Sequence, residues 1–198
     1  MKSRTIILLG LIVTTILACN NSTSQRDTQI IDNKEEINQI KGISRSEGKF
    51  KIDSNIILTN QNLPSLIVDL DKAVLIEKRT TKDIPNFIRT ILDSLTSDNF
   101  SIANPGENWQ QTDVVLEKLP ARQLVYLGIG DSITLLTYFS GGIGESEHIL
   151  IFKYQNEQII DFWCGNILKI VNTRNEISDY IKANKDRHWG LNTNIIRL

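Results

Sequence analysis

The sequence predicts an α+β domain: an antiparallel sheet of four to six strands, connected as a meander, with helices packed on one face. Three observations lead there. Four β-branched or aromatic runs, 123–129, 132–139, 148–154 and 158–164, follow one another with connections too short for a crossover helix, so neighbours pair antiparallel. A stripe of Ile84, Phe87, Ile88, Ile91, Leu92 and Leu95 recurs at three- and four-residue steps before them, and Ile177, Tyr180 and Ile181 recur after them. Strands bracketed by helices are the pattern of α+β folds.

Taken in chain order, residues 1–18 are an address. Lys2 and Arg4 open a short charged region, an apolar run from Thr5 to Leu17 follows, and Ala18-Cys19 closes it. A membrane span needs about 20 apolar residues, and this run ends at the polar Asn20-Asn21-Ser22-Thr23. Ile16-Leu17-Ala18-Cys19 resembles the lipobox of bacterial lipoproteins. That resemblance implies cleavage before Cys19, acylation of Cys19 with palmitate-type chains, and attachment to the membrane through the N-terminal lipid. Asn20, standing where Asp would signal inner-membrane retention, implies the outer membrane in a Gram-negative cell.

Residues 19–48 are polar, with Ile30, Ile31, Ile37 and Ile40 scattered among Asn, Ser, Gln and Lys. They read as a tether from the lipidated cysteine, with a short helix over 33–40 as one option, because so little apolar surface cannot offset the entropy of ordering it. The folded domain is expected over 49–198, about the commonest domain size. Its first elements read as strands at 56–58 and 73–76, separated by turn residues Asn60, Asn62 and Pro64. A helix over 84–97 follows, with Asp83 as N-cap and Pro85 in the first turn. Asn104-Pro105-Gly106 is a turn, and 113–118 is a candidate fifth strand. The last helix starts near Asn172 or Thr173 and ends near Asn184. In the final hairpin, a 155–157 loop puts His148, Leu150, Phe152, Ile160, Phe162 and Cys164 on a core face. Ile149, Ile151, Lys153, Ile159, Asp161 and Trp163 then lie on a partly covered face.

The composition excludes several classes. The 198 residues carry 22 Lys+Arg against 23 Asp+Glu, a formal charge of -1, and losing Lys2 and Arg4 with the signal leaves 20 against 23, or -3. Such a chain has no basic field for nucleic acid. With 2 His and 2 Cys there is neither a disulfide framework nor a ready metal set, and no cofactor motif is present. Ser140-Gly141-Gly142-Ile143-Gly144 lacks the Gly-Lys-Ser/Thr of a phosphate loop and runs into a strand.

Leu127-Gly128-Ile129-Gly130-Asp131-Ser132-Ile133-Thr134 looks like the nucleophile block of GDSL or SGNH hydrolases, which makes Ser132 the nucleophile of an esterase alternative. The other blocks of that family depart: only 66 residues follow Ser132, and Asp186-Arg187-His188 is one residue tighter than Asp-x-x-His. Gly190-Leu191-Asn192-Thr193 stands on the wrong side of the histidine. Gly130-Asp131 is read in preference as a tight hairpin turn, with Ser132 at the start of the strand after it. His148 and Cys164 are candidate cross-strand neighbours, able to form a thiolate pair or to be plain core. Trp109, Trp163, Trp189, Tyr126, Tyr138 and Tyr154 are either core or the lining of a pocket. Glu107, Asp113, Glu117 and Asp131 lie near loops at no acid/base spacing. The expectation is therefore a non-catalytic binding or accessory module of the envelope, its partner another envelope protein or a small apolar ligand.

Overall fold

Ser54–Leu58 opens the structure as α1, a helix where a short apolar run suggested a strand. Asp53 decides this: its carboxylate accepts the Asn55 and Ile56 backbone N–H groups as an N-cap. A three-residue apolar run cannot by itself choose between helix and strand. Asn60 stops α1 in the left-handed region at φ 56. Residues 51–113, 119–142, 144–167, 169–187 and 189 are described in the computed structural model. The signal, Cys19, the tether, the 114–118 part of the candidate fifth strand, Glu117, His188 and 190–193 lie outside them.

Leu63–Lys72 forms α2, with Pro64 in its first turn and Leu63, Leu66, Ile67 and Leu70 buried. Pro64 there marks a helix start and not a turn between strands. The expected strand at 73–76 shrinks accordingly: Ala73 closes α2, and β1 is Ile76–Lys78. After a 3-10 turn at Thr81–Asp83, α3 spans Asn86–Leu95 with Pro85 in the cap position instead of Asp83. β2 is Ile102–Ala103, β3 Arg122–Ile129, β4 Ile133–Ser140, β5 Ser146–Gln155 and β6 Gln158–Ile167. The last helix, α4, is Arg174–Ala183, begun by a capping box between Thr173 and Glu176.

The sheet order is β1-β3-β4-β5-β6, antiparallel throughout this path, with β2 added parallel to the start of β3. The α+β class and the antiparallel meander are therefore as the sequence predicts. The helices, however, occupy both faces. Register places Thr134, Leu136, Tyr138, His148, Leu150, Phe152, Phe162 and Cys164 on one face. There α3 sits through Phe87 against Tyr154, and Phe100 through an edge contact with Tyr138. The opposite face holds Leu135, Ile149, Ile151, Lys153 and Trp163. It is covered by α2, whose Asp69 pairs with Lys153 at 2.6 Å, and by α4, whose Tyr180 packs on Trp189 beside Trp163. This second face was expected to be partly covered, yet Ile149, Ile151 and Trp163 are fully buried.

The β5–β6 hairpin turns at Asn156-Glu157, both at positive φ, the geometry that matches the twist of a two-residue hairpin. A bulge after Lys153 re-phases β6 near its start, so Ile160, expected in the core, is 48% exposed and Ile159 is buried instead. All described residues belong to one compact unit.

Candidate functional site

Ser132 lies exposed between β3 and β4, at a hairpin closed by the Gly130 N–H donating to the Ile133 carbonyl at 2.8 Å. A strand, not a helix, begins beside it, whereas a nucleophile elbow needs a strand-to-helix turn. The Ser132 carbonyl accepts from Tyr154 N–H, tying the turn to β5. His148 pairs with Tyr138, five residues up β4 from Ile133, about 17 Å away along the sheet. Ser132 and His148 are thus not brought together.

The residues with the most chemical potential meet at the opposite end of the sheet. Arg122 from the start of β3 reaches Asp98 at 2.7 Å and lies over the Phe100 ring at 4.8 Å. Tyr138 stacks on His148 with centroids 5.0 Å apart and planes 4° from parallel, and Ser146 Oγ is 3.3 Å from His148 Nε2. Cys164 lies on the same face, opposite Leu150, while His148 is opposite Asn166; histidine and cysteine are diagonal neighbours and not a direct cross-strand pair.

Electrostatics keep this cluster quiet. Burial, with the Arg122 charge in addition, holds His148 down to about 4, so the ring is neutral at pH 7. Burial pushes the Cys164 thiol far up. A thiolate nucleophile needs the reverse environment. Tyr138 is likewise raised by burial, against the pull of Arg122.

On the other face, one residue away, Glu147 is buried at 2% exposure, a fact no sequence pattern announced. Its Oε2 accepts the Val171 N–H at 2.8 Å. Burial raises its carboxyl to about 7 against the Val171 and Thr137 groups, with Glu145 and Glu176 adding to the rise. A lone carboxylate inside a strand buried on both faces is constrained to an internal partner.

The aromatics divide between the faces as core, all at 7% exposure or less: Trp109, Tyr126, Tyr138, Tyr154, Trp163 and Trp189. Glu107 caps the Asn104 turn, and that bond, made by both side chain and backbone of Asn104, lowers its pKa. Among the described residues, no group of three His, Cys, Asp or Glu could hold a metal. An open cleft of about 140 Å³ lies between α1 and β6, lined by Ile56, Ile57, Ile160 and Phe162 and rimmed by Lys51, Asp53, Asn62 and Asp161. Comparison with protein-family models, with curated proteins and with solved structures returns no match.

Proposed function

We propose that the chain is a lipid-anchored cell-envelope protein, attached at Cys19 and held at the outer membrane of a Gram-negative cell, whose domain is a non-catalytic binding or accessory module. The Ile16-Leu17-Ala18-Cys19 motif supports the anchor. In this reading the acylated Cys19 supplies the attachment; among the described residues no helix is long and apolar enough to cross a membrane.

The observation that carries the module reading is where the reactive side chains sit. His148 and Cys164 are buried beside Tyr138 and Leu150, and Ser132 stands at a hairpin tip away from His148, the one histidine among the described residues. Of the exposed apolar side chains, Ile56 and Ile160 line the α1–β6 cleft, while Val68, Val74, Ile76 and Ile170 are exposed elsewhere. At about 140 Å³ that cleft is below the roughly 300 Å³ at which small-molecule pockets begin. It suits a single apolar side chain of another envelope protein better than a free apolar ligand.

Mass spectrometry of the native protein tests the anchor: the N-terminal peptide should begin at Cys19 and carry acyl chains. A free thiol at Cys19, or cleavage elsewhere, removes the lipoprotein reading. A fluorophosphonate probe tests the module: Ser132 should stay unlabelled, and labelling lost in Ser132→Ala would replace the module with the esterase.

A further inference from the structure

Three consecutive backbone N–H groups ahead of α4 are all bound by carboxylates. Val171 donates to Glu147 Oε2 at 2.8 Å; Asn172 and Thr173 donate to Glu176 Oε2 at 3.0 and 3.1 Å. The two carboxylates are in opposite situations. Glu176 is exposed in the first turn of its own helix, where a negative charge is favoured, and its hydrogen bonds to Asn172 and Thr173 lower its pKa. Glu147 comes from a different element, β5, and is shut inside the sheet. Glu147 Oε1 and Thr137 Oγ1 on β4 do not form a well-aligned hydrogen bond, although the hydroxyl is close enough to favour the anion.

We propose that the Glu147 carboxyl is a proton-operated latch that holds the 169–173 connector, and with it the start of α4, against the sheet. Protonated, the carboxyl is neutral, tolerates its apolar seat and keeps Val171 docked through Oε2. Ionised, it carries a buried charge facing Glu145 from the β4–β5 loop and Glu176 from α4, while Lys169 on the connector acts on Glu176. The two charges that act most on Glu147 are both anionic. A charge so placed gains several hydrogen bonds to water by rotating out, and gives up one to Val171.

The consequence is confined to one element. α4 is held on α2 by polar contacts: Arg174 donates to the Leu70 and Ala73 carbonyls, and Asp71 accepts from Ser178 and pairs with Lys182. Releasing Val171 loosens the connector while these contacts retain the helix body. The burial that raises Glu147 to about 7 places the change near neutrality, and its ionised share then rises about tenfold between pH 6 and pH 8.

Amide hydrogen exchange on the full chain, corrected for the intrinsic effect of pH, tests the latch. Protection at Val171 should fall several-fold from pH 6 to pH 8, while Ile149 and Ile151 in β5 stay unchanged, and Glu147→Gln should hold Val171 protected at both pH values. Protection at Val171 that is constant, or that rises with pH because the anion grips the N–H harder, overturns the proposal. So does a Glu147→Gln chain that keeps the parent's pH response. If that variant does not fold, a carbon-detected titration of the parent decides instead: the Glu147 carboxyl and the Val171 amide must change with one common midpoint, and separate midpoints overturn the latch.

Discussion

At the scale of single residues, two neighbours on β5 point to opposite faces and carry opposite linkage. His148 is depressed from 6.5 to about 4, so its contribution to stability is complete above about pH 6.5 and is lost as pH falls toward 4. Glu147 is raised from 4.5 to about 7, so its contribution is complete below about pH 4.5 and is lost as pH rises through 7. Across the shared window the two slopes cancel, each worth about 3 kcal/mol at most over its full span. Replacing Glu147 by Gln should therefore leave a chain that gains stability, relative to the parent, as pH rises from 5 to 7. Replacing His148 by Gln should do the reverse. Urea midpoints measured against pH, taken as variant minus parent to remove the other carboxylates, check both signs; curves parallel to the parent's would refute the assignment. Cys164 supplies a second prediction at this scale. Its thiol is buried and raised, so a disulfide-exchange reagent should leave it untouched in the native protein and label it after denaturation.

Among the elements, β6 is the strand whose edge needs protection, because it ends the sheet and is ten residues long. The Phe162 carbonyl there accepts from Asn62 Nδ2 at 2.9 Å, and the Phe162 N–H donates to Asp161 Oδ1 at 2.8 Å. The α1–α2 link thus covers the edge with one side chain, while Asn60 next to it accepts from Trp163 Nε1 and donates to the Arg187 carbonyl. Asn62→Ala should cost about 1–3 kcal/mol, through a carbonyl and a carboxylate left short of a donor, and should raise the tendency to self-associate. Urea unfolding and light scattering report the two effects separately; an unchanged midpoint would mean that the link does not guard the strand. In the sequence Asn60 and Asn62 read as turn residues. Their local geometry was legible, but their partners lie about a hundred residues away in β6 and beyond α4.

For the molecule as a whole, helices on both faces mean that the sheet interior is closed by contacts within the domain. The cores of the two faces draw on α1 to α4 and on all the long strands. Stability should thus reside in residues after about Gly48, and a chain starting there should melt within a degree or two of the longer mature chain. Calorimetry of the two checks this, and a loss of several degrees would show that the preceding segment packs.

Patterns that are local in the chain were readable from it. Period-2 runs set β3 to β6 within a few residues, because a pleated strand alternates its side chains whatever surrounds it. The start of α4 was expected near Asn172 or Thr173, and the Thr173–Glu176 capping box that sets it closes within three residues. The Leu63-Leu66-Ile67-Leu70 period of α2 was equally present and was hidden by reading Pro64 as a turn. Tertiary structure alone decided the rest. The bulge that turned Ile160 outward was set by contacts outside its own run. So were the second covered face, the diagonal placing of His148 and Cys164, and the internal seat of Glu147. Each depends on the free energy of groups meeting across scores of residues, and a short window of sequence carries no term for that.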